Sequence, residues 1–300
     1  KKTEQDVISQ VVDGYHLVLM SRESLEILRN NRSNLEEIYR KTEPMVRVGM
    51  MEQVELDQLS VQVNSLANAV RTAERQLEMA ENLLRVQLGA TAETELELTD
   101  SLSGLIDEEL SAGTLLTFDA GQNIDYQLMQ MQEDMNEKQI NMQKAAYLPT
   151  VSGFYNYTYK LLKPAFDTSP PHIVGLQLNI PVFSSGERRA RVKEARIELE
   201  ATQNTKALLE EQLDIQHRQL QFNLKNALEN YETQAKNVKV SRDVYLNLRR
   251  KYEQGMISSL ELSTADSNYL QAESEYLTSM LEVLQSKNAL YTLTGKIVNN

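Results

Sequence analysis

Residues 245–295 read YLNLRRKYEQGMISSLELSTADSNYLQAESEYLTSMLEVLQSKNALYTLTG, and residues 39–89 read YRKTEPMVRVGMMEQVELDQLSVQVNSLANAVRTAERQLEMAENLLRVQLG. The two segments align without a gap at a constant offset of 206 positions. Nine aligned positions are identical: Tyr39/Tyr245, Gly49/Gly255, Met50/Met256, Glu55/Glu261, Leu56/Leu262, Thr72/Thr278, Asn82/Asn288, Leu84/Leu290 and Gly89/Gly295. Each copy has one glycine inside a long helical pattern and another where that pattern ends. Such repetition strongly constrains a fold, and here it predicts two similar helical hairpins.

The longest helical pattern leads into the second copy. From Ser185 to Tyr252 the sequence has no proline and only one glycine, Gly186, which predicts a single helix of about 65 residues. Its apolar residues recur mostly at steps of three, four and seven, as in coiled coils. Such a helix must pack against neighbouring helices to be stable. Gly89 and Gly295 are predicted to end the second helix of each copy.

Two strand candidates lie between the copies. Residues 151–160 and 173–182 alternate apolar and polar side chains, which is typical of a tilted strand between lipid and an aqueous lumen. The proline-containing link 161–171 is predicted to be a loop. The simpler alternative is a hairpin half-buried on a soluble domain. The long flanking helices and three tyrosines suited to a membrane interface, Tyr155, Tyr157 and Tyr159, favour the membrane strand.

The remaining sequence connects these elements. Residues 95–99 alternate like a short strand, and glycines interrupt the segment that follows as far as Gly121. Helical periodicity resumes at Ile124, continues to Ala145 and stops at Pro149. The predicted domains are a first-repeat helical hairpin at 1–89, a mixed connecting segment at 90–121, an ascending helix at 122–146, a β-hairpin at 147–183, a second-repeat helical hairpin at 184–295 and a tail at 296–300.

Composition argues against several classes of function. The formal net charge of −12 is unsuited to a nucleic-acid partner, and the lack of cysteine excludes disulfides and thiol-based sites. No apolar run is long enough for a transmembrane helix. His16, His172 and His217 lack metal-ligand spacing and are predicted to be solvated surface residues. Because no phosphate-binding loop or nucleophile elbow occurs either, we predict no enzyme activity, no metal and no cofactor.

Three segments give the chain a resemblance to a known family. They are AAYLPTV at 145–151, GLQLNIPVFSSGERRARV at 175–192, and YEQGMISSLEL at 252–262 with ALYTLTG at 289–295 downstream. In this order and spacing they resemble the TolC-type outer-membrane efflux proteins over nearly the whole chain.

The resemblance implies a mainly α fold with a small β part, assembled as a homotrimer. Each subunit would give four strands to a shared 12-stranded β-barrel in outer-membrane lipid of a Gram-negative bacterium, and helices to an α-helical tunnel in the periplasm. This chain has only two such strands, and Lys1 aligns with Ala207 at the repeat offset. The chain is therefore expected to be N-terminally truncated.

The resemblance also implies a function and its partners. The protein would be a passive exit duct of a tripartite efflux or type I secretion system. Its tunnel tip would dock on a periplasmic adaptor protein and, through the adaptor, reach an inner-membrane pump.

The two helical turns are predicted to be functional sites. Gly49 and Gly255 supply the permissive backbone that a reversal between helices requires. Four flexible apolar side chains follow them, and these either pack within their own hairpin or contact the adaptor: Met50, Met51, Met256 and Ile257.

Carboxylates and one aromatic residue near the turns are further candidates. Glu55 and Glu261 lie six residues after the glycines, where the resemblance implies pore-facing carboxylates, and Asp57 could join them. They are either solvated or, in a trimer, form a ring that favours cations. Tyr252 matches a family aromatic that holds the tip closed. Since the first copy has Val46 at the equivalent position, this latch would be asymmetric.

Arg188, Arg189 and Arg191 follow the second strand. They are predicted either to anchor at lipid headgroups or to be ordinary solvated residues of a first helical turn.

A different class of function stays open at this point. The chain could be a soluble periplasmic coiled-coil scaffold or adaptor without a pore. Conductance in planar bilayers would favour the duct, whereas a detergent-free soluble monomer would favour the scaffold.

Overall fold

The chain folds into long helices and one two-stranded sheet, a mainly α structure as predicted. The computed structural model describes residues 2–91, 93–112, 118–159 and 170–296. The elements are α1 (Lys2–Arg47), α2 (Gln53–Gln87), α3 (Leu102–Ala112), α4 (Ile124–Ala145), β1 (Thr150–Tyr157), β2 (His172–Asn179), α5 (Glu187–Glu253) and α6 (Ser259–Thr294), with a short 3-10 turn at Ala120–Gln122. None of the described helices combines the length and the apolar character that crossing a membrane requires.

The long helix predicted from 185 to 252 is present as α5, which has 67 residues. It starts immediately after Gly186, whose φ of 83° lies in the left-handed region that favours glycine. The helical pattern between Ile124 and Ala145 is α4. These two helices formed where the sequence offered neither proline nor interior glycine to stop them.

The strand predicted at 95–99 is wrong. These residues have no regular structure, and Leu96 and Leu98 pack instead against apolar side chains of α1 and α2. A short helix, α3, follows and continues through Gly104, because Leu102 and Ile106 are fully buried in the helical core. Most of the predicted loop, residues 161–169, and most of the predicted tail, residues 297–300, lie outside the described residues.

The structure divides into two compact units, and the first contains residues up to 124 and from 213 onward. In it, α1 and α2 pack as one antiparallel hairpin. The part of α5 from Leu213 onward forms the other with α6, and the ring pairs Tyr231–Tyr276 and Tyr245–Tyr269 stack between them. A core cluster near the turns includes Leu35, Leu59 and Leu262, none more than 1% exposed. A second cluster farther from the turns contains Met280 and Leu290. Burying such side chains contributes about 1.5–3 kcal/mol each.

The second unit, residues 125–212, contains α4, the sheet and the part of α5 up to residue 212. Glu133 of α4 accepts hydrogen bonds from Lys206 at 2.7 Å and from Gln203 at 2.9 Å, which ties α4 to α5. The strands are antiparallel. The exposed apolar residues of one sheet face pair across the strands as Val151↔Leu178 and Tyr155↔Val174, with Gly153↔Leu176 between them.

Both strands are shorter than the predicted spans 151–160 and 173–182. β2 ends at Asn179, two residues before Pro181, which has no N–H to donate to a ladder. Ser152 pairs with Gln177 on the other face. The hairpin therefore has one apolar and one largely polar face, and both are exposed.

Candidate functional site

The two helical turns have the same backbone geometry. Gly49 and Gly255 have φ values of 78° and 71°, and the chain reverses direction at each. In the first turn Gly49 N donates to Val46 O at 3.0 Å and Met50 N donates to Met45 O at 2.8 Å; in the second the corresponding bonds, from Gly255 N and Met256 N, are 2.8 and 2.9 Å. This pair of bonds is the Schellman motif, which satisfies the last carbonyls of a helix.

The apolar side chains after each glycine divide into two groups. Met50 and Met256 are 75% and 67% exposed. Met51 and Ile257 are half-buried and pack against the core cluster near the turns. Each turn therefore stabilises its own hairpin with one side chain and leaves one methionine free for contact.

Glu55 and Glu261 occupy equivalent repeat positions but different environments. Glu55 is half-buried, and its Oε2 accepts a hydrogen bond of 2.5 Å from the backbone N–H of Ser259, in the first turn of α6. Gln58 Oε1 also accepts from the Ser259 hydroxyl, at 2.6 Å. Because helix N-termini carry unpaired N–H groups and partial positive charge, Glu55 acts as a cap supplied by the other hairpin.

The other two carboxylates are exposed to solvent. Glu261 makes no comparable contact with α2: the α6 N-terminus is capped locally by Ser258, whose Oγ accepts from the Glu261 N–H at 3.3 Å. Asp57 accepts from Gln53 Nε2 at 2.9 Å on the surface of α2. The repeat symmetry visible in the sequence is thus broken at the side-chain level.

This asymmetry gives a matched test within one protein. Glu55→Ala is expected to lower the free energy of unfolding by about 1 kcal/mol, because Ser259 N–H loses its charged acceptor. Glu261→Ala removes a carboxylate from the first turn of a helix in the same way, but leaves the contact between hairpins intact; its effect should stay within about 0.5 kcal/mol. Thermal unfolding followed by circular dichroism measures both, and equal effects would contradict the assignment of Glu55 as the inter-hairpin cap.

Tyr252 is buried between α5 and α1. It is 2% exposed, and its hydroxyl lies 3.3 Å from Oγ1 of Thr42, which itself donates to Ile38 O. Burial raises the pKa of the Tyr252 hydroxyl. The equivalent residue of the first copy, Val46, has no polar atom with which to form such a contact.

An ion-pair network beside Tyr252 was not predicted from the sequence. Lys41 lies 2.7 Å from Glu37 and 3.5 Å from Glu253, and Arg249 lies 3.2 Å from Glu37 and 3.6 Å from Glu253. The hydrogen bond from Lys41 lowers the pKa of Glu37 and raises that of Lys41. Each helix has its own pair at i and i+4, and that spacing is the only signal the sequence offered.

The residues predicted for the membrane interface are exposed. Tyr155, Tyr157 and Tyr159 have exposed fractions of 64%, 55% and 75%, and Tyr159 lies just beyond β1. Arg188 contacts its own unit: its Nη1 donates to Pro181 O at 3.2 Å, and its guanidinium lies 5.9 Å from the centre of the Tyr147 ring. Arg191 pairs with Glu187 at 2.5 Å, and Arg189 is exposed.

The prediction of solvated histidines is wrong for two of the three. His16 and His217 are 8% and 6% exposed; His217 stacks on Phe118 with 4.8 Å between ring centres, and burial lowers the pKa of His16. Their burial depends on tertiary packing that isolated histidines in a sequence do not reveal. His172 is exposed, as predicted. Within the described ranges, no three His, Cys, Asp or Glu side chains come together as a metal site.

A family model for outer membrane efflux proteins matches residues 121–296, more than half of the chain. The chain belongs to this family. No curated protein matches it at the sequence level.

Solved structures of outer-membrane channels share the fold of this outer membrane efflux protein. The open state of MtrE from Neisseria gonorrhoeae aligns with a TM-score of 0.75 and 15% identity, over 98% of this chain and 67% of that one. CmeC from Campylobacter jejuni gives 0.73 and 17%, over 98% and 63%, and VceC from Vibrio cholerae gives 0.72 and 14%, over 97% and 70%. The chain thus spans about two thirds of the length of these channels.

Proposed function

We propose that this chain forms part of the wall and the tip of a passive exit duct in the outer membrane of a Gram-negative bacterium. The observation that carries the proposal is the pair of reversing helical hairpins, each of which leaves an exposed methionine at its turn. The apolar face of the β1–β2 hairpin supports contact with outer-membrane lipid, with tyrosines at the interface.

A homotrimer would cover apolar surface that a single subunit leaves exposed. On α2, Val54 and Val61 are 49% and 68% exposed and lie seven residues apart, on one face of the helix. On the other hairpin, Val240 and Leu260 are 62% and 64% exposed and line a groove between α5 and α6. Patches of this kind are typical of subunit interfaces, so we propose that neighbouring subunits pack side by side through these faces.

The turns are the proposed contact with a periplasmic adaptor protein, and through it with an inner-membrane pump. Met50 and Met256 project from both turns, and Val48 adds a further side chain that is 70% exposed. Unbranched methionine side chains adapt to a partner surface at little steric cost. Adaptor docking of this kind suits either a tripartite efflux system or type I secretion.

Exposed carboxylates near the turns are the proposed selectivity element. In a trimer, three copies each of Glu261 and Asp57 would surround the opening and favour cations. Glu55 is the weaker member of this predicted ring, because its carboxylate is already bound to the α6 N-terminus. Tyr252 remains the proposed latch, since its contact with Thr42 joins α5 to α1 close to the tip.

Conductance tests the duct directly. The full-length protein, with every strand its barrel requires, is expected to give discrete, cation-preferring conductance steps when it is reconstituted in planar bilayers. Glu261→Gln should reduce the preference for potassium over chloride, because it removes three charges from the trimer, and Tyr252→Phe should raise the open fraction. Glu275→Gln, the same change at an exposed position along α6, is the control.

Absence of any conductance step from the full-length protein would exclude the duct. The alternative proposed from sequence, a soluble coiled-coil scaffold or adaptor, would then be favoured if the protein also remained monomeric and soluble without detergent.

A further inference from the structure

A cleft in the first unit lies between α1 and α5, with α6 as its floor. It has a volume of about 520 Å³, within the range of roughly 300–1,000 Å³ that is usual for small-molecule sites. Tyr269, Tyr276, Leu277 and Met280 form the apolar and aromatic floor. A smaller cavity of about 160 Å³ shares Tyr269 and Glu273 with this cleft and extends to Asn31 and Tyr245; we call the two together the α1–α5 cleft.

Negative charge predominates along this cleft. Four carboxylates line it, against two cations, Lys239 and Arg242: the carboxylates are Glu23, Glu26, Asp243 and Glu273. Burial raises the pKa of Glu23, and the neighbouring charge of Glu26 raises it further. Burial also raises the pKa of Glu273. At Glu273 burial outweighs the hydrogen bond that Tyr269 donates and the charge of Arg242, which both lower its pKa. A cation placed between these carboxylates would be attracted.

Two buried oxygen atoms beside the cleft have no hydrogen-bond donor. Asn31, which lines the smaller cavity, is 6% exposed, and its Oδ1 has no partner among the described residues. Asp266 is 3% exposed; Asn31 and Tyr245 act on its carboxyl group by hydrogen bonding, but its Oδ1 has no partner among the described residues. Buried acceptors are normally satisfied. A primary ammonium donates three hydrogen bonds and accepts none, so it could supply the donors that these two oxygen atoms lack.

We propose that the α1–α5 cleft binds a small organic cation that carries a primary ammonium on an apolar or aromatic body. The ammonium group lies near Glu273 and Asn31. Tyr276 stacks on Tyr231, and Tyr269 stacks on Tyr245. The body covers the other face of each of these two rings, since aromatic faces attract both apolar surface and positive charge. This binding site stands apart from the duct proposal, because it needs neither a pore nor an adaptor.

Dansylcadaverine is a suitable probe, since it joins a fluorescent aromatic group to a primary ammonium through a short alkyl chain. Its emission is expected to rise and shift to the blue when it is added to the purified protein in nanodiscs, with empty nanodiscs as the blank. N-acetyl dansylcadaverine, which keeps the aromatic body but loses the charge, should bind at least about tenfold more weakly. The double variant Glu23→Gln/Glu273→Gln should weaken dansylcadaverine binding by about the same factor, whereas Glu275→Gln, on an exposed part of α6, should leave it unchanged.

Equal binding of the charged and the acetylated probe would overturn the proposal, and so would unchanged binding to the double variant. The comparison of the two probes uses the unmodified protein, so it decides the question even if a variant misfolds. Normal conductance without charge-dependent binding would exclude this site alone and leave the proposed duct intact.

Discussion

Asp266→Asn is expected to stabilise the folded protein at neutral pH by roughly 2–3 kcal/mol and to remove a pH dependence of its unfolding. Burial raises the pKa of Asp266 from 3.8 to about 6; the charge of Glu273 adds to this rise, while hydrogen bonds from Asn31 and Tyr245 oppose it. The folded protein therefore binds the Asp266 proton more tightly than the unfolded chain. At neutral pH, folding must keep an ionised carboxylate almost out of contact with water, which is unfavourable.

The sign of the pH dependence follows from the same shift. Stability from this group is fully present below about pH 4 and is lost as the pH rises to about 6, above which the contribution is constant. Thermal unfolding by circular dichroism across this range should show the slope in the original protein. The slope should be reduced in Asp266→Asn, whose amide cannot ionise.

The charged and titratable groups around Asp266 come from two helices. Tyr245 of α5 hydrogen-bonds to Asp266 and is itself affected by the charges of Arg249 and Glu253, and Glu273 lies on α6 itself. The helix α1 contributes the neutral Asn31, which hydrogen-bonds to Asp266. Asp243→Asn, the same change at an exposed position of α5, is the control and should leave stability nearly unchanged. Destabilisation by Asp266→Asn at neutral pH would show that the carboxylate is needed in its charged form.

Gly295→Ala is expected to destabilise the protein by about 3 kcal/mol. Gly295 caps α6 with a φ of 70°, and a Cβ at this position would lie 2.6 Å from the carbonyl oxygen of Gln122. That contact is with backbone, so a side-chain rotation cannot relieve it. The change would displace the 3-10 turn that Asn123 also holds against α6, through a 3.0 Å bond to Leu293 O.

The first copy provides the control for this prediction. Gly89 is the repeat equivalent of Gly295 and has a φ of 67°, but a Cβ there would meet nothing within 4 Å. Gly89→Ala should therefore lower the free energy of unfolding by only about 1 kcal/mol, which is the cost of placing a residue with a Cβ in the left-handed backbone region. Chemical denaturation compares the two variants. Equal losses would mean that the approach of Gln122 contributes nothing to the constraint at Gly295.

The helices and the sheet could be predicted because local sequence determines them. The absence of proline between Ser185 and Tyr252 permits α5, and the glycines at the turns permit the left-handed cap that each helix end uses. The alternation of apolar and polar side chains predicted β1 and β2, because successive residues of a strand point to opposite faces and the two faces of this hairpin differ in polarity. The same kind of alternation led to the wrong prediction of a strand at 95–99. There Leu96 and Leu98 are apolar because they pack against helices, and the segment does not pair with a strand among the described residues.

The site was less predictable, because its asymmetry arises between elements. Glu55 and Glu261 are equivalent in sequence, yet only Glu55 lies beside the N-terminus of the other hairpin. Asp266 could have been found: its spacing of four from Leu262 and three from Tyr269 places it on the buried side of α6. Its hydrogen-bond donors, Asn31 and Tyr245, belong to α1 and α5, and no single segment of sequence contains both.

The two helical turns, at Gly49 and Gly255, have different side chains around them. This difference affects how many partner molecules a threefold assembly can bind. The tip of such an assembly would contain six helical turns, three at Gly49 and three at Gly255, in alternation. A binder that recognises only the glycine and methionine common to both kinds could occupy all six places. A binder that discriminates between a capped and an uncapped carboxylate would saturate at three, so the stoichiometry of the complex reports which chemistry is recognised.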